Sequence, residues 1–198
     1  MRIIARGAEA IIYERGDTII KFREKKGYRI PEIDALLRTS RTRYEFKILQ
    51  TCARAGLRVP LPIKIAGDND KILMQNLGGI SFDSVFSVKK MREVGELVAL
   101  MHNLGVIHGD LTTANMLSKE NKIFLIDFGL GYFSKKDEDI ATDIFLLKSA
   151  LKSRHPDEHM SAYELFIEAY KTVIEKEFKG IAAHLKDIER RGRYHENG

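Results

Sequence analysis

Two short segments of this sequence contain the side chains that Mg²⁺-dependent phosphoryl transfer needs. His108–Asn115 contains Asp110 and, five positions later, Asn115. Asp127–Gly129 begins twelve residues after Asn115 with a second aspartate. One carboxylate can accept or orient the proton of an attacking hydroxyl, while an amide oxygen and another carboxylate can hold Mg²⁺ on nucleotide phosphates. The order and spacing predict a catalytic Asp110, the metal ligands Asn115 and Asp127, and ATP with Mg²⁺ as the nucleotide.

A lysine and a glutamate are expected to fix the phosphates from the N-terminal part of the chain. Thr18–Lys21 has the pattern of a strand that ends in a phosphate-anchoring lysine, Lys21. Such a lysine needs a helix glutamate as its ion-pair partner. Glu45 is the predicted partner, and Glu32 is the alternative, although a glutamate in the first turn of a helix can simply complement the helix dipole.

The other nucleotide contacts are predicted from position along the chain. Gly7–Ala10 lies between the first two predicted strands and has a single glycine, where a protein kinase carries G-x-G-x-x-G. Its backbone amides can still reach phosphate. Adenine is expected where the N-terminal and C-terminal parts of the chain meet, beside Met74 and the backbone that follows it. The candidate ATP-binding residues here are Gly7, Ala8, Glu9, Met74, Gln75 and Leu77.

Two residues are predicted to support the catalytic loop. His108 precedes the catalytic aspartate, and Asp143 lies on a predicted helix from which a buried carboxylate could brace the loop backbone. The remaining histidines show no metal-ligand spacing with cysteine or acidic residues, so no zinc site is predicted.

Composition limits the classes of protein. The chain has 198 residues, 44% of them apolar, which is enough to bury a sizeable core. Its one cysteine, Cys52, excludes an internal disulfide and favours a reducing compartment. No stretch approaches the roughly 18 apolar residues of a spanning helix. We expect a soluble, cytoplasmic protein with no membrane partner.

The net charge of +5 is unevenly distributed. Lys21–Lys47 holds nine basic and four acidic residues, which indicates either a solvated surface or contact with a polyanion such as nucleic acid. The tail adds a basic cluster that is either a frayed terminus or a partner or nucleic-acid contact. Its candidate contact residues are Arg190, Arg191 and Arg193.

The elements that must position these residues fall into two parts. Residues 1–77 are predicted to form an N-lobe. It comprises a strand meander over Met1–Arg23, a helical region opened by Pro31, a second helix capped by Thr39 or Ser40, and strands near 63–66 and 71–75.

Residues 78–198 are predicted to form a mainly helical C-lobe. Its helices are expected at 89–104, 141–153, 158–176 and 181–191, with Gly180 as a break and a hairpin from 115–117 and 123–126. The pattern predicts an α+β, minimal two-lobed protein-kinase-like fold with a β-rich N-lobe and a reduced helical C-lobe. Gly109 stands where protein kinases carry arginine, and too few residues follow Gly129 for their full substrate platform.

Several segments together resemble the small atypical kinase subunit of the KEOPS complex, a RIO-like family. The similarity lies in Gly7–Ala10, Ile20–Arg23, Lys26–Asp34, Arg41–Arg43, His108–Asn115, Asp127–Leu130 and the basic tail. It covers nearly the whole chain.

The resemblance implies an ATPase with weak Ser/Thr kinase activity, in a complex that makes N6-threonylcarbamoyladenosine (t6A) in tRNA. Lys21 and Glu45 would be the ion pair, Asp110 the catalytic residue, and Asn115 and Asp127 the Mg²⁺ ligands. A threonylcarbamoyltransferase subunit would bind the C-lobe and a small regulatory subunit the N-lobe, with tRNA near the basic tail.

Two alternatives remain. A small-molecule phosphotransferase of the aminoglycoside or choline type has similar catalytic segments, but only about ten residues separate Gly79 from the helix at Lys89, too few for an acceptor-binding insertion. A non-catalytic kinase-like scaffold would need few of the predicted catalytic side chains.

Overall fold

A five-stranded antiparallel sheet forms the first part of the computed structural model, which describes residues 1–7 and 9–196, with side chains as far as Arg191. Its strands are β1 (Arg2–Arg6), β2 (Ile11–Arg15), β3 (Thr18–Phe22), β4 (Pro62–Ala66) and β5 (Lys71–Gln75). They are arranged in the order β1-β2-β3-β5-β4. Arg15 pairs with Thr18 across a two-residue turn in which Gly16 has a φ of 56°, a conformation that suits glycine.

One continuous helix, α1 (Pro31–Arg54), packs beside this sheet. The expected second helix starting at Thr39 or Ser40 is therefore wrong as a separate element. No glycine or proline interrupts residues 32–54, and Arg38 pairs with Asp34 one turn earlier, close to the expected boundary. Pro31 occupies the first turn, where its missing N–H costs nothing.

The second part of the chain is mainly helical. Its helices are α2 (Met91–Asn103), α3 (Asp137–Arg154), α4 (His159–Val173) and α5 (Phe178–Glu196). Five short strands accompany them: β6 (Ile80–Ser81), β7 (Val106–Ile107), β8 (Met116–Lys119), β9 (Lys122–Leu125) and β10 (Tyr132–Phe133). The order β6-β8-β9 makes one small sheet, and β7 pairs with β10.

Two helix boundaries differ from the prediction for a physical reason. Helix α5 begins before Gly180 rather than after it, and a Cβ at Gly180 would overlap the side chain of Asp137 at the start of α3. This glycine therefore leaves room for the Asp137 carboxylate and does not break a helix. Helix α3 starts at Asp137 rather than residue 141, with three acidic residues in a first turn where negative charge is favourable.

The two parts share one apolar core. Ile48 and Leu49 of α1 are buried in the same cluster as Phe128 and the buried face of α2. In α2, a Cβ at Gly95 would overlap the carbonyl oxygen of Phe166, so α2 and α4 pack at close range. None of the described helices is both long and apolar enough to cross a membrane.

Candidate active site

The buried carboxylate of Asp143 holds the backbone of the predicted catalytic loop. Its two oxygens accept the N–H groups of His108 at 2.7 Å and Gly109 at 2.8 Å. His102 lies 3.2 Å from the same carboxylate and 2.8 Å from the hydroxyl of Tyr170. Burial alone would raise the pKa of Asp143, but its hydrogen bond with His102 and the nearby imidazoles outweigh burial and hold the pKa below its usual range.

His108 connects the catalytic loop to the strand that leads to Asp127. Its Nε2 lies 3.0 Å from the carbonyl oxygen of Ile126, and its Nδ1 accepts the N–H of Asp110 at 3.3 Å. The ring also packs on buried Phe128, with ring centroids 4.7 Å apart. The two segments found in the sequence are therefore coupled through one buried imidazole.

Gly109 has a structural reason to lack the arginine of protein kinases. Its φ is 77°, and a Cβ there would overlap the carbonyl oxygen of Leu130. A side chain of any kind is therefore excluded unless the segment after Phe128 moves.

Asn115 orients Asp110. The amide nitrogen of Asn115 donates to the backbone oxygen and to Oδ2 of Asp110, both at 2.8 Å. The exposed side chain of Asp110 keeps Oδ1 available, and the amide oxygen of Asn115 has no partner among the described residues.

A compact charge cluster faces the Asp110 loop from the other side of a cleft. Nζ of Lys21 is 2.7 Å from Glu45 and 2.5 Å from Asp127, so this lysine connects the sheet, helix α1 and the second catalytic segment. Burial alone would lower the pKa of Lys21, but the two carboxylates outweigh it and raise its pKa. Lys21 also holds the pKa of Asp127 below its usual range, against the effect of desolvation. The alternative partner Glu32 is exposed in the first turn of α1.

Arg23 belongs to this cluster, although no motif in the sequence marks it. Its guanidinium lies 2.5 Å from Glu45, and the residue is only 2% exposed. The available signal is its position two residues after Lys21, because alternate side chains of an extended segment point to the same side.

The loop between β1 and β2 contains the other predicted phosphate contacts. The N–H of Gly7 already donates to the carbonyl oxygen of Ala10 at 2.9 Å. Ala8 lies outside the described residues. The Glu9 carboxylate is 3.2 Å from Arg29 and 2.6 Å from Arg41. It is thus occupied by two arginines.

The predicted adenine region follows β5. Met74 is buried, and the N–H groups of Gln75 and Asn76 already donate to Leu61 and Asp17, both at 2.8 Å. Leu77 is the one of these three hinge positions whose N–H has no acceptor among the described residues.

A cavity of about 310 Å³ lies between these groups. Its lining combines Gly7, Glu9, Lys21, Arg23, Arg41, Asp110, Asp127 and Gly129 with apolar residues. A wider groove of about 670 Å³ adjoins it between α1 and Gly129–Phe133. Among the described residues no group of three or more His, Cys, Asp or Glu side chains could by itself hold a metal ion.

The basic tail does not line this cavity as far as its side chains are described. Arg190 lies 3.3 Å from Asp187 on the same helix, and Arg191 is exposed. Arg193 lies outside the residues whose side chains are described.

The RIO domain family model matches residues 17–141 of this chain. The chain is also 37% identical to the KEOPS complex subunit Bud32 of Pyrococcus abyssi, over 99% of this chain and 97% of that protein. The chain belongs to the Bud32 family of RIO-domain kinases. The family expected from the sequence is thereby confirmed.

Other relatives of this RIO-domain chain differ in length. A probable serine/threonine-protein kinase BUD32 homolog of Archaeoglobus fulgidus is 36% identical over 95% of the chain and 94% of that protein. A probable bifunctional tRNA threonylcarbamoyladenosine biosynthesis protein of Methanothermobacter thermautotrophicus is 38% identical over 97% of the chain. The RIO-domain chain spans only 36% of that longer protein.

Solved structures confirm the predicted two-lobed fold. The Rio2 kinase–ADP/Mg²⁺–phosphoaspartate complex of Chaetomium thermophilum has a TM-score of 0.65 at 18% identity, over 98% of this chain and 70% of that one. Amicoumacin kinase hAmiN has the same TM-score at 12% identity, over 89% and 73% of the two chains. The RIO-domain chain therefore has a kinase-like architecture that it shares with both of these kinases.

Proposed function

We propose that this chain is a Mg²⁺-dependent ATPase and atypical Ser/Thr kinase that acts as a subunit of a KEOPS-type complex in t6A modification of tRNA. The observation that carries the chemistry is that Lys21, Asp110 and Asp127 line one cavity, with Lys21 paired to Glu45 and Asp110 held by Asn115. The proposed assembly rests on relatives named as KEOPS subunits or t6A biosynthesis proteins.

The residues present fit a magnesium nucleotide. Asp127 and Asn115 offer a carboxylate and an amide oxygen, the hard oxygen ligands that Mg²⁺ prefers. Two protein ligands leave the remaining positions for water and phosphate oxygens. A Cβ at Gly129 would lie 3.0 Å from Oδ1 of Asp127 and 3.2 Å from Nζ of Lys21, so the glycine keeps space open beside the cluster.

Each residue has a proposed task. Mg²⁺ would neutralise charge on the transferring phosphoryl group. Lys21, oriented by Glu45, would bind nucleotide phosphate after exchanging its contact with Asp127. Asp110, held by Asn115, would orient the hydroxyl of water or of a Ser/Thr side chain and accept its proton. Leu77 would offer a backbone N–H to adenine beside Met74.

The partners are proposed at the same level. A threonylcarbamoyltransferase subunit would bind the C-lobe, a small regulatory subunit would bind the N-lobe, and tRNA would approach the basic surface that includes Arg190 and Arg191. The assembly would be cytoplasmic. The short stretch before α2 contains β6 and two short 3₁₀ turns, so it offers no acceptor-binding insertion of the kind that a small-molecule phosphotransferase uses.

ATP hydrolysis by the purified chain tests the proposal. It should be measured alone and with the candidate transferase subunit and tRNA, with and without Mg²⁺. Asp110→Ala should abolish turnover, while Asp157→Ala, at an exposed position outside the cavity, is the matched control. Turnover that rises with partner and tRNA supports the assembly. Turnover that ignores both would contradict the KEOPS role, and turnover unaffected by Asp110→Ala would contradict the catalytic assignment.

A further inference from the structure

An exposed ion pair closes the outer rim of the nucleotide cavity. Arg41 lies on α1 one turn before Glu45, and its guanidinium reaches 2.6 Å from the carboxylate of Glu9. Both residues line the cavity that also contains Asp110 and Asp127. The pair therefore joins helix α1 to the loop that covers the predicted phosphate site.

The cations of the cavity differ in how firmly they are engaged. Lys21 has two carboxylate partners, and buried Arg23 contacts Glu45. The side chains of Arg41 and Glu9 are 33% and 45% exposed, and such pairs are held weakly because water screens them. Arg41 is therefore the cation of this cavity whose partner is most easily replaced by an incoming anion.

The location of Arg41 favours one part of a nucleotide. It lines the cavity together with Asp110, Asp127 and Gly129, the end at which phosphoryl transfer is proposed. The predicted adenine contacts at Met74 and Leu77 are not part of that lining. A guanidinium binds phosphate and carboxylate with the same forked geometry, so Glu9 occupies a group that also suits a terminal phosphate.

Glu9 has a second partner to which it can remain bound. Arg29 lies 3.2 Å from the same carboxylate and 3.7 Å from buried Asp34. When Glu9 leaves Arg41, it can keep Arg29, and the loop stays close to the cleft.

We propose that Arg41 binds the γ-phosphate of ATP and that Glu9 occupies its guanidinium in the nucleotide-free protein. ATP, which has the terminal phosphate, replaces Glu9 on Arg41, whereas ADP leaves the pair in place. Arg41 is thus a residue that distinguishes triphosphate from diphosphate, and Glu9 is a competitor of the nucleotide rather than a contact. This inference rests on the proposed ATP site.

Equilibrium binding of two probes tests it: ADP and a non-hydrolysable ATP analogue with an imido bridge between the β- and γ-phosphates, each with Mg²⁺. Arg41→Gln should weaken binding of the analogue roughly 10-fold, since a charge-assisted hydrogen bond to one phosphate is lost. The same substitution should change the affinity for ADP by less than about twofold. Glu9→Gln should tighten the analogue about threefold. Glu9→Gln should have no effect in the Arg41→Gln background.

The matched control is Arg43→Gln, at an exposed position on the same helix outside the cavity lining, which should bind both probes as the wild type does. If Arg41→Gln weakens binding of ADP and of the analogue equally, or weakens neither, the inference is overturned. The proposed ATP site would stand in both cases. An unchanged affinity in Glu9→Gln would overturn the role of Glu9, and this exposed variant does not depend on the folding of Arg41→Gln. Failure of the wild type to bind either probe would overturn the proposed function itself.

Discussion

On the C-terminal side of the cleft, the loop that carries Asp110 is held by buried groups, whereas on the N-terminal side the loop before β2 is held by exposed charges. Asp143 is 0% exposed and accepts two backbone N–H groups. Glu9, by contrast, has a side chain that is 45% exposed, and its ion-pair partners among the described residues are the half-buried Arg29 and Arg41.

This difference in burial separates two kinds of control. A buried carboxylate cannot lose its partners without a desolvation cost, so it fixes the catalytic loop in one geometry. An exposed ion pair exchanges partners at little cost, so it allows the covering loop to respond to ligand. The loop that carries Asp110 is thus held by buried groups and the covering loop at Glu9 by exposed ones, while the proposed phosphate ligand Lys21 belongs to a buried cluster with Arg23 and Glu45.

Among substitutions that leave Asp110 in place, the largest effect on chemistry is expected at Asp127, where the two sides meet. Asp127→Ala should lower ATP hydrolysis roughly 100- to 1,000-fold, because the proposed Mg²⁺ ligand is lost. Its side chain is 49% exposed, so the circular dichroism spectrum should not change. Unchanged hydrolysis in the folded variant would remove Asp127 from the metal site.

The largest effect on stability is expected at Asp143. Asp143→Asn keeps the side-chain volume but presents an amide NH₂ to a backbone N–H. It also replaces the negative carboxylate that His102 contacts with a neutral amide. We expect the free energy of unfolding to fall by about 3 kcal/mol in urea titrations. A loss comparable to that of an exposed ion pair would contradict the contrast between the two sides.

The same substitution should alter how the free energy of unfolding decreases at low pH. Because the folded-state pKa of Asp143 is lowered, its contribution is complete above the unfolded-state pKa of about 3.9 and is lost as pH falls through the folded-state value. Asp143→Asn should therefore lose less stability than the wild type between pH 4 and 2. If the free energy of unfolding falls in parallel for the two proteins over this pH range, another carboxylate governs the loss of stability in acid.

A smaller effect on stability is expected from a methyl group beside Asp110, the proposed catalytic residue. Gly16 and Gly109 both have positive φ, but a Cβ at Gly16 meets nothing within 4 Å, whereas one at Gly109 overlaps Leu130. Gly16→Ala should cost about 1 kcal/mol of unfolding free energy and Gly109→Ala about 2 kcal/mol in total, as judged by chemical denaturation. Equal costs would mean that the segment at Leu130 moves freely.

The smallest effect on stability is expected at Glu9. Glu9→Gln should leave the midpoint of thermal unfolding within about 2 °C of the wild type, since an exposed ion pair adds little to stability. Glu14→Gln, at the ion pair with Arg2, is the control. A larger decrease in Glu9→Gln than in this control would show that the covering loop contributes to the stability of the fold.

The sequence was most informative where spacing along the chain reflects one continuous element. The meander, the hairpin between the two catalytic segments and the apolar stripe of α2 follow from local periodicity, and the structure contains all three. The two-residue strands β6, β7 and β10 were missed because they are too short to show a pattern.

The charge partners could be predicted only in part. The kinase-like pattern predicts a pair of Lys21 with Glu45, and the structure brings the two within 2.7 Å. The second cation on Glu45, Arg23, and the contact of Arg41 with Glu9 join residues 22 and 32 positions apart. Among so many basic residues between Lys21 and Lys47, only the three-dimensional arrangement identifies which arginine meets which carboxylate.

The unbroken length of α1 joins an exposed part of the surface to the cleft. Its first turns expose the side chains of Ile33 and Leu36, whereas Glu45 is buried further along the same helix. At about 1.5 Å per residue, Ile33 lies roughly 18 Å along the helix axis from Glu45. A molecule bound at the exposed turns and the ion pair of Glu45 with Lys21 would therefore share one uninterrupted element.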